Sequence, residues 1–224
     1  MLYADLNGRR VEATPTARKA CCPVCGSDVV AKCGEKRLKI WHWAHKGGDC
    51  DPWSEPETAW HKNWKELFPR ECREVRIGNH RCDVQTPTVI IELQHSYLSP
   101  AEIEEREAFY KRMIWIFDLR KLKNTIRAST APTGQFRWPR FRKAMAYCRC
   151  PVFIHLGRGD LLHIWDFDPR IHFGAFRRFK KEEFLVSVGI DFSSEVRPVA
   201  IRPFTLIRSE SRLRGPKRGV YSAD

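Results

Sequence analysis

Asp83, Glu92 and Gln94 stand close together in "RCDV" and "TVIIELQHS". Val89, Ile90 and Ile91 read as a buried strand. Strand side chains alternate, so Glu92 and Gln94 leave one face while Leu93 leaves the other. "RCDVQ" reads as the neighbouring strand, joined through a Thr86-Pro87 turn, and such a pairing brings Asp83 to Glu92. Two carboxylates on adjacent strands make an oxygen-rich site for a hard cation such as Mg²⁺ or Mn²⁺. That cation can polarise a phosphate and activate water. Taken alone, D-x8-E-x-Q is also what the solvent face of an ordinary strand carries. A second stripe lies upstream. Glu57, His61 and Lys65 recur every fourth residue, which on a helix aligns an acid, an imidazole and an amine. Glu57 has a competing duty, closing a capping box with Ser54, and Lys65 could be solvated; His61 is the hardest to dismiss. Arg106 and Tyr110 repeat the spacing on the next helix.

A different chemistry sits nearer the N-terminus. Cys22-Pro-Val-Cys25 is a C-x-x-C pair, followed by His42, His45 and Cys50. Zinc takes four N or S ligands in a tetrahedron, usually as two pairs on separate turns. The second pair is His42 with His45, or His45 with Cys50. A full set of four is structural rather than catalytic, because no position stays open. The competing account is an unmetallated cysteine-rich turn with His42 merely packed. Nine cysteines, an odd number, suit metal ligands and buried thiols in a reducing cytosol better than a disulfide framework. Cys21, Cys33, Cys72, Cys82, Cys148 and Cys150 lack comparable partners in the sequence.

The elements that must position these groups can be traced by periodicity. Asn7-Gly8 marks a hairpin and Gly34 a second one, and residues 46–52 form a linker. A helix is expected from Ser54 to about Phe68, with Trp60, Trp64 and Leu67 on its apolar face and Pro69 closing it. "EVRI" and "RCDVQ" are short strands joined at Gly78-Asn79. A second helix starts at Ser99-Pro100, with Glu102 in the capping-box position, and runs to about Arg112. "MIWIFDL" is a further buried strand. Residues 121–150 read as irregular and basic, residues 151–190 as strands, and the tail from Arg208 as mobile.

Charge divides the chain unevenly. Residues 1–120 hold 19 Lys/Arg against 18 Asp/Glu, and residues 121–224 hold 21 against 9. That asymmetry points to a polyanion partner for the second half, against the plainer account of a solvated basic surface. Arg137, Arg140, Arg142 and Lys143 alternate with Phe136, Trp138 and Phe141, a pattern able to pair phosphates and stack bases. The competing account makes the aromatics core and the arginines a solvated rim. Arg177, Arg178, Lys180 and Lys181 form a second cluster. No apolar run is long enough to cross a bilayer, and MLYADLNGRR has no signal-peptide core, so the expectation is cytoplasmic and not membrane-bound.

"CPVCG", "HWAHKGGDCD", "WSEPETAWHKNWK", "HRCDV", "IELQHSYLS" and "REAFYKRMIWIFD" follow one another in that order. On these motifs, over about residues 20–120, the chain resembles the competence protein CoiA-like family of bacterial proteins. The resemblance implies an α/β, restriction-endonuclease-like core of the PD-(D/E)xK superfamily with an N-terminal zinc module. Asp83 and Glu92 match the metal-binding acids, Gln94 the position of the catalytic lysine, and Glu57 the helix acid; His61 and Lys65 continue that helix motif. Glutamine at 94 departs from the pattern and leaves water activation unassigned, with Lys65 replacing the lysine in space or the protein binding without cutting. The expected organisation is a zinc-binding module at 1–52, a nuclease-like core at 53–120 and a basic, β-rich region at 121–224. The implied activity is Mg²⁺- or Mn²⁺-dependent hydrolysis of DNA in uptake, recombination or defence, with His61 and Arg106 contacting phosphate. The alternative is a non-catalytic zinc-containing DNA-binding protein.

Overall fold

The computed structural model describes residues 1–207 apart from 18, 35–39, 49, 158 and 192–195. The expected mobile tail from Arg208 and the turn beyond Gly34 lie outside the described residues.

Five antiparallel strands open the chain: β1 (Tyr3–Leu6), β2 (Arg9–Glu12), β3 (Lys19–Cys21), β4 (Asp28–Lys32) and β5 (His42–His45), in spatial order β2-β1-β3-β4-β5. Asn7 and Gly8 both have positive φ, 54° and 76°. That is the primed turn geometry whose twist matches a two-residue hairpin. Trp43 is buried among Met1, Ala4, Ala13, Ala20, Cys22 and Val29. A core this small leaves the sheet in need of a staple.

Helix α1 spans Ala59–Lys65, shorter than the expected run from Ser54. Its cap is Thr58, whose hydroxyl accepts from the His61 N–H while the His61 ring returns a bond to the Thr58 N–H. Pro56 explains the shift, because it disfavours helical geometry at Glu55 and keeps residues 54–58 out of the helix. Two short strands follow, β6 (Arg76–Ile77) and β7 (His80–Arg81), turning at Gly78. Next come β8 (Val84–Gln85), β9 (Ile90–Gln94), α2 (Pro100–Tyr110) and β10 (Met113–Asp118). Ser99 and Glu102 cap α2 reciprocally, as the sequence indicates.

The second half is more regular than its composition suggests. It supplies β11 (Arg127–Ala128), β12 (Thr133–Arg137), β13 (Val152–His155), β14 (Leu161–Asp168), β15 (Phe173–Phe179), α3 (Lys181–Ser187) and β16 (Thr205–Leu206). A nine-stranded sheet runs β11-β12-β15-β14-β13-β10-β9-β8, with β16 paired to β14. β10 lies parallel to both β9 and β13. The sheet therefore continues across residue 120, and the basic half is built onto the same layer as the carboxylate strands.

Alternation sorts the strand residues onto two cores. Ile91, Leu93, Ile114, Ile116 and Phe153 pack with Trp60 and Trp64 of α1 and Phe184 of α3. Trp115, Phe117, Val152 and Ile154 pack with Ile103 and Tyr110 of α2. Both faces of β9 are thus covered, so Glu92 does not look into solvent. The fold is mixed α/β, mostly strands, with three α-helices among the described residues. None of the described helices is long and apolar enough to cross a membrane.

Candidate functional site

The Cys22–Cys25 turn and the end of β5 bring four ligand atoms together. The thiols of Cys22, Cys25 and Cys50 and a His45 ring nitrogen all lie within 4.8 Å of one another. Cys22 Sγ is 3.6 Å from Cys50 Sγ, and Cys25 Sγ is 3.4 Å from His45 Nε2. A zinc tetrahedron with bonds of about 2.0–2.3 Å has edges of roughly 3.5–3.8 Å, so this group could hold a zinc ion. Hydrogen bonds from Ser27 pull the Cys25 thiol down to about 6, toward the thiolate that ligates metal. Of the two alternatives for the second pair, the structure assembles His45 with Cys50. His42 is not in the group, and its Nδ1–H donates instead to the Ile40 carbonyl at 2.8 Å.

The carboxylates converge elsewhere, in a narrow cleft lined by Glu55, Glu57, His61, Lys65, Asp83, Glu92 and Arg106 among others. Each group arrives for a local reason. The pairing of Val84 with Ile91 sets Asp83 beside Glu92, and the two are locked by the backbone: Asp83 N–H donates to Glu92 at 3.3 Å, and Leu93 N–H donates to Asp83 at 2.8 Å. α1 delivers Lys65, fully buried, whose ammonium bonds Glu57 at 3.0 Å and both Glu74 and Asp83 at 2.9 Å. α2 delivers Arg106, which bonds Glu92 at 2.9 Å and the Trp53 carbonyl at 3.0 Å, while its buried Nε–H has no partner among the described residues. With no helix at 54–58, Glu57 is freed from capping and turns to Lys65 instead. The free space, 20 Å³, takes about one water or one bare ion.

The charges do not balance. Among the described residues, Glu55, Glu57, Glu74, Asp83 and Glu92 meet the side-chain cations Lys65, Arg81 and Arg106 at or just behind the cleft, and the Met1 ammonium also acts on Glu57 and Glu74. Burial alone would lower the Lys65 pKa, but Asp83, Glu57 and Glu74 outweigh it and hold the ammonium well above its ordinary range. Lys65 is therefore a fixed positive charge and not a base at neutral pH. Burial pushes the Glu92 carboxyl up to about 8, with Asp83 adding to the rise and Arg106 only partly offsetting it. Burial also raises Glu57. Glu55 behaves oppositely: burial would raise it, yet hydrogen bonds from His61, Ser96 and the His95 N–H hold it at about 2. His61 Nδ1 accepts from Thr58 N–H, so its Nε2 carries the proton and donates to the Leu93 carbonyl at 3.1 Å.

Gln94 is buried beside this cleft without lining it; its amide donates to Glu55 and to the Ser96 carbonyl. Arg106 is buried as well, so it meets the cleft from inside. The basic stretch is split apart. Phe136 and Trp138 are fully buried core residues, and Phe141 stacks on Phe167 with ring centroids 4.1 Å apart. None of these faces is available to a base, which corrects the stacking expectation. Alternation on β12 and the turn after it forces the aromatics inward. Arg140 and Lys143 are exposed, whereas Arg142 is half-buried near Asp118.

Two acids of the site were invisible to sequence reasoning. Glu55 stands outside the Glu57, His61, Lys65 stripe and the matched motif acids, which give the acid role to Glu57. Glu74 carries no motif, yet it adopts φ 46°, is buried, and accepts from the Leu2 and Tyr3 N–H groups as well as Lys65. A non-glycine residue held in that region signals local constraint. Here the constraint ties the N-terminal sheet to the cleft. Set against protein-family models, curated proteins and solved structures, the chain matches none.

Proposed function

We propose that the cleft is the active centre of a metal-dependent nuclease that hydrolyses DNA, in the manner of the CoiA-like, PD-(D/E)xK enzymes that the motifs resemble. The observation that carries this reading is the surplus of buried carboxylate at Glu57, Asp83 and Glu92 around a lysine that cannot lose its proton. Excess negative charge in a dry site calls for a cation, and carboxylate oxygens are the donors Mg²⁺ and Mn²⁺ prefer. Asp83 and Glu92, with Glu57 in support, would hold such an ion, which when bound polarises phosphate and makes water a better nucleophile. Lys65 supplies fixed positive charge where negative charge develops on the phosphate, the part that Gln94 cannot play. The free Nε–H of Arg106 is a donor for a phosphate oxygen. His61 orders the turn that presents Glu57, and Gln94 acts through Glu55 as a positioning residue. A zinc ion at Cys22, Cys25, His45 and Cys50 is structural in this reading, stapling the small sheet.

One observation favours a second reading. Lys65 and Arg106 already bond the carboxylates a divalent cation would need, which suits a DNA-binding protein that does not cut. Incubating the protein with linear, circular and single-stranded DNA, with and without Mg²⁺ or Mn²⁺, separates the two. Metal-dependent shortening of any substrate supports the nuclease. Binding with every substrate left intact supports the second reading.

A further inference from the structure

At the far edge of the nine-stranded sheet, Arg127 of β11 stands directly opposite Arg137 of β12. Like charges placed opposite one another on paired strands repel. Arg140 joins them around an open pocket of 360 Å³ whose remaining lining is Asn124, Thr125 and Pro139. No lining residue is acidic. The Thr125 hydroxyl is already committed to the Leu122 carbonyl at 2.8 Å, so the three guanidiniums and the Asn124 amide are the donors left facing the space. None of the three guanidiniums has a hydrogen-bond or ion-pair partner among the described residues. Two other exposed arginines, Arg120 and Arg170, are neutralised locally by Asp118 and Asp168, at 2.8 and 2.7 Å.

The geometry points to a phosphate-binding pocket formed by Arg127, Arg137 and Arg140. Guanidinium forks match phosphate oxygens, and a dianion between Arg127 and Arg137 turns their repulsion into attraction. The donors are side chains on a strand pair and its turn, and no base-reading aromatic face is available beside them. The site therefore recognises phosphate and not sequence. The carrier of that phosphate is a nucleic-acid backbone, an identification that rests on the nuclease reading; the pocket itself does not. Of the expected group Arg140, Arg142 and Lys143, only Arg140 lines it.

The test is Arg127→Gln, Arg137→Gln and Arg140→Gln together, with Arg9→Gln, Lys19→Gln and Lys62→Gln as a charge-matched control on solvent-exposed side chains away from the pocket. Binding of a fluorescent 24-nucleotide DNA, single-stranded and duplex, is titrated with salt in the absence of divalent cation. Each lost phosphate contact lowers the slope of log K against log salt by about 0.7 to 0.9, so the pocket variant should lose about 2 to 3 from the slope while the control keeps it. An unchanged slope in the pocket variant, or an equal loss in the control, rules out a nucleic-acid backbone as the ligand, and with no difference in the phosphate arm it overturns the pocket itself. Inorganic phosphate at constant ionic strength provides the second arm. If it raises the melting temperature of the wild type but not of the pocket variant, while the DNA slopes agree, the pocket stands and its ligand is free phosphate. A wild type that shows the predicted slope yet cuts nothing with Mg²⁺ or Mn²⁺ refutes the nuclease reading and leaves the pocket intact.

Discussion

Lys65→Met should be among the most damaging single changes in this protein. The ammonium is buried and bonded to Glu57, Glu74 and Asp83 at 2.9–3.0 Å. Methionine keeps the unbranched stem and removes only the charge and its donors. Removing one partner of a buried ion pair costs about 3–5 kcal/mol because the other charge is left uncompensated, and here three carboxylates share the lost cation. For a chain of this size each kcal/mol lowers the melting temperature by about 2–4 °C, so a fall of roughly 6–20 °C is expected in calorimetry. Two further results follow from the same contacts. Glu74→Gln added to Lys65→Met should recover part of the loss, since one stranded charge disappears and the amide oxygen still accepts from Leu2 and Tyr3. Added Mg²⁺ should stabilise Lys65→Met more than the wild type, by mass action on the freed carboxylates. A loss below about 1 kcal/mol, or strictly additive effects of the two substitutions, would refute the claim that Lys65 is the hub of the cleft.

Metal analysis of protein prepared without chelator should find about one zinc per chain, kept by His42→Ala and lost by Cys25→Ser together with thermal stability; zinc lost on changing His42 would refute the ligand set. Gly174→Ala should cost about 1–3 kcal/mol in urea unfolding, because its Cβ would lie 2.6 Å from the Phe136 ring; a neutral result would show that the strand pair gives way easily. Burial lowers His163 to about 4, and among the described residues its Nδ1 has no partner to receive a charged N–H. The unfolded chain, with an ordinary histidine pKa near 6.5, takes that proton first. The associated stability is therefore present above pH ~6.5 and lost as pH falls toward ~4, up to about 3 kcal/mol. His163→Gln should flatten that acid limb, and an unchanged limb would count against it.

The sequence announces the cleft better than it announces the reasons for it. Asp83 and Glu92 are legible because strand pairing and two-residue alternation are local rules, and the structure brings them together as those rules require. The role of Glu57 is misread for an equally local reason: Ser54 and Glu57 have capping-box spacing, but Pro56 bars the helix that would use it, and Thr58 with His61 does the capping. Glu74 is illegible because its partners, the Leu2 and Tyr3 amides, are some seventy positions away and obey no spacing. The same holds for the second half, where burial of Trp138 and the pairing of Arg127 with Arg137 depend on which strands meet across the sheet. Of the five zinc candidates, spacing alone cannot separate His42 from Cys50; the fold does, because His42 and His45 stand three apart on β5 and so leave opposite faces, while Cys50 joins His45 from the segment beyond the strand.

The most direct measurement is the rate of Mg²⁺-dependent DNA cleavage by Asp83→Asn and by Glu92→Gln, with DNA affinity measured on the same preparations. Both substitutions remove a carboxylate oxygen that could ligate the cation and preserve shape. If these carboxylates hold the catalytic cation, each variant binds DNA as the wild type does and cuts it at least about a hundredfold more slowly, a loss of roughly 2.7 kcal/mol in transition-state stabilisation. Cleavage at the wild-type rate in either variant, with affinity unchanged, would contradict the account.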